Sequence, residues 1–142
     1  MFSKAESRQL RQEFWVSFGK SFPRKWILYN TKIKGLSFKF YFDTKKALVA
    51  LDLEDDLEHR IKYWEKLMSL KHILHRDYLP TAVFDETYIL ENGKEISRIY
   101  VPLDEKVSIH NKASWQTVMA FFNSNMTLFE DFFTEYKEFI KG

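Results

Sequence analysis

Lys20, Arg24, Lys25, Lys32 and Lys34 alternate with Phe22, Trp26 and Tyr29 inside one fifteen-residue stretch. Cationic side chains neutralise phosphates and release their counterions, and aromatic rings stack on unpaired bases. That mixture makes residues 20–34 a candidate nucleic-acid-binding segment. The five cations would hold phosphates, and Trp26 or Tyr29 would stack or support the loop. The competing reading puts the rings in the core and leaves the cations as a solvated rim, docked on an acidic face of the same chain or of a twin. Charge is unevenly spread along the chain. Residues 1–50 hold 11 Lys and Arg against 3 Asp and Glu, and residues 51–142 hold 11 against 17. A formal net charge of +2 therefore conceals a strongly basic first third.

Catalytic chemistry finds less support. Acid-x-Lys triplets hold a divalent ion and activate water in metal-dependent nucleases. They occur here at Asp43–Lys45, Asp104–Lys106 and Glu135–Lys137, about as often as chance gives for this composition. Asp104 could partner Asp85 across a hairpin. Pairing Glu91 with Lys94 sets Asp85 opposite Tyr100, roughly 13 Å along the strands from Asp104, too far for one ion. The acidic run Asp52, Glu54, Asp55, Asp56 and Glu58 reads as a helix N-terminus, where the dipole favours acids. Asp52, between Leu51 and Leu53, is the member this leaves least explained. His72 and His75 lie three apart without a third ligand, and His59 and His110 stand alone. The absence of cysteine excludes disulfides, thiolate nucleophiles and cysteine-based zinc sites. Four scattered glycines make no phosphate-cradling loop, and no Gly-x-Ser-x-Gly elbow is present. No catalytic residue, cofactor or metal site is expected.

The elements that must carry these residues can be read from periodicity. The length suits one domain, residues 1–142, and 14 Phe point to a core built on rings. Ser3 to Glu6 is a capping box, and Leu10, Phe14 and Phe18 continue at helical spacing to Gly19, giving a helix over 4–19. From Leu36 to Asp43 the period becomes two, with Leu36, Phe38, Phe40 and Phe42 on one face. Ala47 to Leu51 is apolar on both faces, as a central strand requires. Asp55 or Asp56 caps a second helix, with Leu57, Ile61, Trp64, Leu67, Leu70 and Leu74 as its buried stripe and Pro80 ending the segment. Residues 82–90 and 95–103 flank Asn92-Gly93, a type I′ hairpin signal. Val107 to Ile109 could extend the sheet. Trp115, Val118, Phe122, Met126, Phe129, Phe133, Tyr136 and Ile140 define one long final helix, with Phe121, Phe132 and Phe139 outside its stripe. The expected fold class is α+β in the order α-ββ-α-ββ-α. Its antiparallel sheet of about four strands should carry the helices mainly on one face.

Several strings together resemble a known family. They are Glu13-Phe-Trp-x-x-Phe18, Trp26-x-x-Tyr-x-Thr31, Ser37-Phe-Lys39, Glu95-Ile-Ser-Arg-Ile-Tyr-Val101, Val107-Ser-Ile-x-Asn-Lys112 and Asn125-Met-x-x-Phe-Glu130. The chain is similar, over about residues 8–140, to a bacterial, Bacteroidetes-type family of domains of unknown function. Members occur alone and also C-terminal to predicted endonuclease-like domains. The resemblance carries over no catalytic residue. It implies a nucleic-acid-handling or assembly partner of nucleases.

The expected function is a non-catalytic accessory module binding DNA or RNA through residues 20–34. The alternative is a protein-interaction or homodimerisation domain using the extra rings of the last helix; a metal-dependent nuclease ranks third. A nuclease-type protein is a further candidate partner. The polar start lacks a secretory pattern and no apolar run could span a membrane, so a cytoplasmic location and no membrane partner are expected.

Overall fold

A computed structural model describes residues 1–142. The first helix starts where Ser3 can cap it. The Ser3 hydroxyl accepts from the Glu6 N–H while the Glu6 carboxylate accepts from the Ser3 N–H. This helix, α1 (Lys4–Ser21), runs past Gly19. A glycine inside a helix costs only about 1 kcal/mol, and buried Phe14 and Phe18 anchor the last turns against the core.

The two-residue period from Leu36 becomes β1 (Leu36–Phe42), which pairs with β2 (Ala47–Leu53) in unbroken antiparallel register from Leu36↔Leu53 to Phe42↔Ala47. β2 is buried along its whole length and has a strand on either side. β3 (Val83–Ile89) and β4 (Glu95–Pro102) form the second hairpin, and the sheet order is β1-β2-β4-β3, antiparallel throughout. Between the hairpins stand α2 (Leu57–Ser69) and α3 (Lys71–Asp77), and α4 (Trp115–Lys141) closes the chain as one helix of 27 residues. The fold is α+β, as expected.

One sheet face supplies the core. Leu36, Phe38 and Phe42, with Val49, Leu51, Leu53, Ile99 and Val101, meet the ring-rich faces of α1, α2 and α4. Phe38 packs against Phe129 and Phe133, and Phe14 against Phe42, Trp115 and Phe122.

Four expectations need correction. The second helix breaks at Leu70, and its buried stripe is displaced: Leu57 and Ile61 are exposed while Arg60 is buried. Arg60 turns inward because the second hairpin offers it acceptors, described below. Asn92 does not have a positive φ, so the turn is not type I′; only Gly93 does. Gly93 N–H donates to Leu90 and Leu90 N–H to Lys94, a three-residue loop with glycine in the left-handed position. That loop shifts the register by one residue and a bulge between Asp85 and Tyr88 by one more, so Asp85 faces Arg98 instead of Tyr100. Val107 to Ile109 is not a strand; Ile109 N–H donates to the Asp43 carbonyl at the β1–β2 turn.

Candidate functional site

Residues 22–35 form a loop that runs along the free edge of β1, where the Phe38 N–H donates to the Leu28 carbonyl. Glu130 of α4, only 4% exposed, clamps it: one carboxylate oxygen accepts from the Ile27 N–H at 2.7 Å and the other from Arg24 at 2.9 Å. Buried Thr31 donates its hydroxyl to the Ile33 and Leu36 carbonyls. Leu28 and Lys32 take positive φ values of 47° and 65°, a conformation that non-glycine residues hold only when their surroundings impose it.

The candidate residues divide, with Lys20 in the last turn of α1 and the others in this loop. Trp26 is half-buried, stacked on Phe18, edge-on to Phe40 and covered by the Arg24 guanidinium at 4.5 Å. Trp26 therefore supports the loop from inside, and Arg24, exposed but paired with Glu130, braces it from outside. Tyr29 is 75% exposed. Lys20, Lys25, Lys32 and Lys34 are exposed and make no ion pair. The residues free to touch a ligand are one ring and four lysines.

The sheet face away from the helices is polar at its centre. Asp52, fully buried, accepts from Arg98 Nε at 2.7 Å and Nη2 at 2.9 Å, and Lys39 Nζ lies 3.3 Å away. Lys39 also reaches Glu54 at 3.1 Å. Burial works against the charge on Lys39, but Asp52 and Glu54 outweigh it and its pKa is raised. The Arg98 guanidinium stacks on the Tyr88 ring at 4.4 Å.

The second hairpin turns back over this face. A bulge between Asp85 and Tyr88 interrupts its ladder. The Glu86 carbonyl it frees accepts from the Ser97 hydroxyl at 2.6 Å and from Arg60 at 3.4 Å. Beyond the bulge the tip reaches β1, where the Tyr41 hydroxyl lies 3.0 Å from Glu91 and 2.7 Å from Asp43. A phenol has one proton for two carboxylates. Burial first, then these two acids, raise the Tyr41 pKa well above its ordinary value. Between tip and sheet lies a cavity of about 410 Å³, with Tyr41, Lys46 and Leu48 on one side and Tyr88, Glu91 and Arg98 among its other walls.

The remaining candidates do not assemble. Asp85 is opposite Arg98, and the last strand residue, Pro102, is already about 13 Å further along, so Asp104 does not share its cleft. Asp43 binds the Lys45 and Lys46 N–H groups as a turn former. Asp55, Asp56 and His59 lie close together, but Asp56 is the α2 N-cap and pairs with His59. His75 is engaged with the Ala82 carbonyl.

Sequence reasoning missed the Asp52–Arg98 pair, the Glu130 clamp and Arg60. The first two left a trace as a charged residue within an apolar pattern: Asp52 among Ala47–Leu53, Arg98 among Ile96–Val101, Glu130 among Met126–Phe133; Arg60, beside Glu58 and His59, left none. No helix is long and apolar enough to cross a membrane. No match to a curated protein or to a solved structure was found. The profile of one family, described as "Domain of unknown function (DUF4268)", matches residues 10–137, and the chain belongs to that family.

Proposed function

We propose that this chain is a non-catalytic accessory module that contacts DNA or RNA through residues 20–34. The observation that carries the reading is the loop's construction. Tyr29, Lys25, Lys32 and Lys34 face solvent unpaired on a backbone clamped by Glu130 and held at positive φ in two places, and Lys20 is exposed in the last turn of α1. A rigid loop presents cations and a ring without an ordering cost at binding. Arg24 and Trp26 act as its support; a nuclease activity, where needed, would come from a separate protein.

Fluorescence anisotropy of labelled single- and double-stranded oligonucleotides tests this at ~50 and ~200 mM salt. Several phosphate contacts should cost orders of magnitude in affinity across that range. Reversing Lys20, Lys25 and Lys34 to Glu, with Arg24 kept in place, should abolish binding and leave Tm nearly unchanged. Salt-insensitive or absent binding at ~50 mM would retire the reading.

A second reading, homodimerisation, draws on exposed Leu57, Ile61 and Met68 of α2 and Phe139 of α4, which lies beside Lys66. Of the other extra rings, Phe132 is buried in the chain's own core and Phe121 is half-buried. Light scattering showing a dimer whose stability does not depend on salt would favour this reading over the first.

A further inference from the structure

The cavity beneath the β3–β4 hairpin has no part in the loop's proposed role. Its volume, about 410 Å³, falls within the range of small-ligand sites, about 300–1,000 Å³. Tyr41 and Tyr88 give it aromatic walls and Leu48 an apolar patch. Arg98 is 5% exposed, with Nε and Nη2 committed to Asp52 and Nη1 left without a protein partner. A buried ion pair of this kind adds little stability over apolar residues of equal volume. What it does here is fix the guanidinium in one orientation, between Asp52 and the Tyr88 ring.

Charge decides what such a cavity can hold. Arg98 and Lys46 line the cavity with Glu91, and Asp52 and Asp43 are bonded directly to its lining residues Arg98 and Tyr41, so acids exceed bases by three to two. A dianionic phosphate is poorly suited to that surplus. A neutral flat ring with both donors and acceptors on its edge is well suited. Arg98 Nη1 and Lys46 Nζ can donate to it, and Glu91, one of whose oxygens is free of Tyr41, can accept.

We propose that this cavity binds a single nucleobase, stacked against a tyrosine wall with its edge toward Arg98, Lys46 and Glu91. The base can belong to a free nucleoside, or to an unpaired residue of a strand held by the loop. Only the second source rests on the nucleic-acid reading given above.

The test is an NMR titration of the ¹⁵N-labelled full chain, first with adenosine, guanosine, cytidine and uridine, then with short single-stranded oligonucleotides. Saturable shifts of the amides of Lys46–Leu48 and Tyr88–Asn92 are expected, with a Kd of about 1 mM or tighter for at least one nucleoside. Tyr88→Leu should weaken that binding about tenfold. Lys46→Ala, at an exposed position where the fold is not at risk, should weaken it as well. The Lys25→Glu, Lys34→Glu double variant should leave nucleoside shifts intact while reducing oligonucleotide binding. Cavity amides that stay unmoved by every nucleoside and oligonucleotide overturn the proposal, as does binding indifferent to both Tyr88→Leu and Lys46→Ala. Cavity shifts with nucleosides, beside oligonucleotides that never perturb residues 20–34, keep the cavity and remove the loop reading alone. Cavity shifts with oligonucleotides only identify the strand as the source.

Discussion

The two hairpins share a topology and differ in how their ladders run. β1 and β2 pair without interruption through seven positions, and every residue of β2 is buried. β3 and β4 lose register between Asp85 and Tyr88, and β3 is largely exposed at the sheet edge. In the first hairpin the backbone ladder satisfies itself and draws on no side chain. In the second the bulge leaves a carbonyl that needs donors, and Arg60 and Ser97 are spent on it. The same break bends the tip toward Tyr41 and encloses the cavity. The first hairpin supplies one wall of the cavity from an unbroken ladder; the interruption of the second brings the other wall against it.

The contrast can be broken at its strongest point first. Phe38→Ala, at a fully buried position between Phe129 and Phe133, should cost about 3–5 kcal/mol in urea unfolding. Ile89→Ala on β3, 58% exposed, should stay within about 0.5 kcal/mol. Asp52→Ala leaves Arg98 and Lys39 without their shared carboxylate and should cost about 3 kcal/mol. By comparison, Glu54→Ala at a part-exposed position should cost less than about 1 kcal/mol. Equal losses from Asp52→Ala and Glu54→Ala would show that burial of the pair does not matter.

Glu130→Ala removes the acceptor of the Ile27 N–H and the partner of Arg24, for about 1–3 kcal/mol. Hydrogen exchange should accelerate at Ile27 while the hairpin amides keep their protection. Ser97→Ala deprives the Glu86 carbonyl of its 2.6 Å donor and should cost about 1 kcal/mol, with faster exchange at the tip and none of it in β1–β2.

The smallest effect concerns pH. Tyr41 keeps its proton in the folded chain at pH values where the unfolded chain loses it, so its contribution to stability is complete below about pH 10 and declines above it. Asp43 has the opposite sign. Burial alone would raise its pKa, but the Tyr41 hydroxyl and the Lys45 and Lys46 N–H groups lower it, so its contribution is lost as pH falls through the acid range. Tyr41→Phe should flatten part of the alkaline decline in Tm; Tyr78 and Tyr100, also raised mainly by burial, sustain the rest. An unchanged alkaline slope in Tyr41→Phe would mean that the phenol does not latch the tip.

Local rules made much of this chain legible in advance. The Ser3–Glu6 cap, the central strand expected at 47–51 and found to run on to Leu53, the hairpin around Gly93 and the long final helix each depend on residues a few positions apart, where capping, periodicity and turn chemistry act. The basic, ring-bearing loop was visible for the same reason. What periodicity could not rank was which of its rings faces outward, because Trp26 is half-buried against Phe18 and Phe40 and Tyr29 is exposed. Only the tertiary structure decided the Asp52–Arg98 pair, the inward turn of Arg60, the Glu130 clamp and the closure of Tyr41 on Glu91. These contacts join residues 26 to 106 positions apart. Each replaces an expected apolar or solvated role with a charge held in place by a partner that the local sequence does not contain. A side chain's own pattern sets the face it starts from, and the element brought against that face sets what it does there.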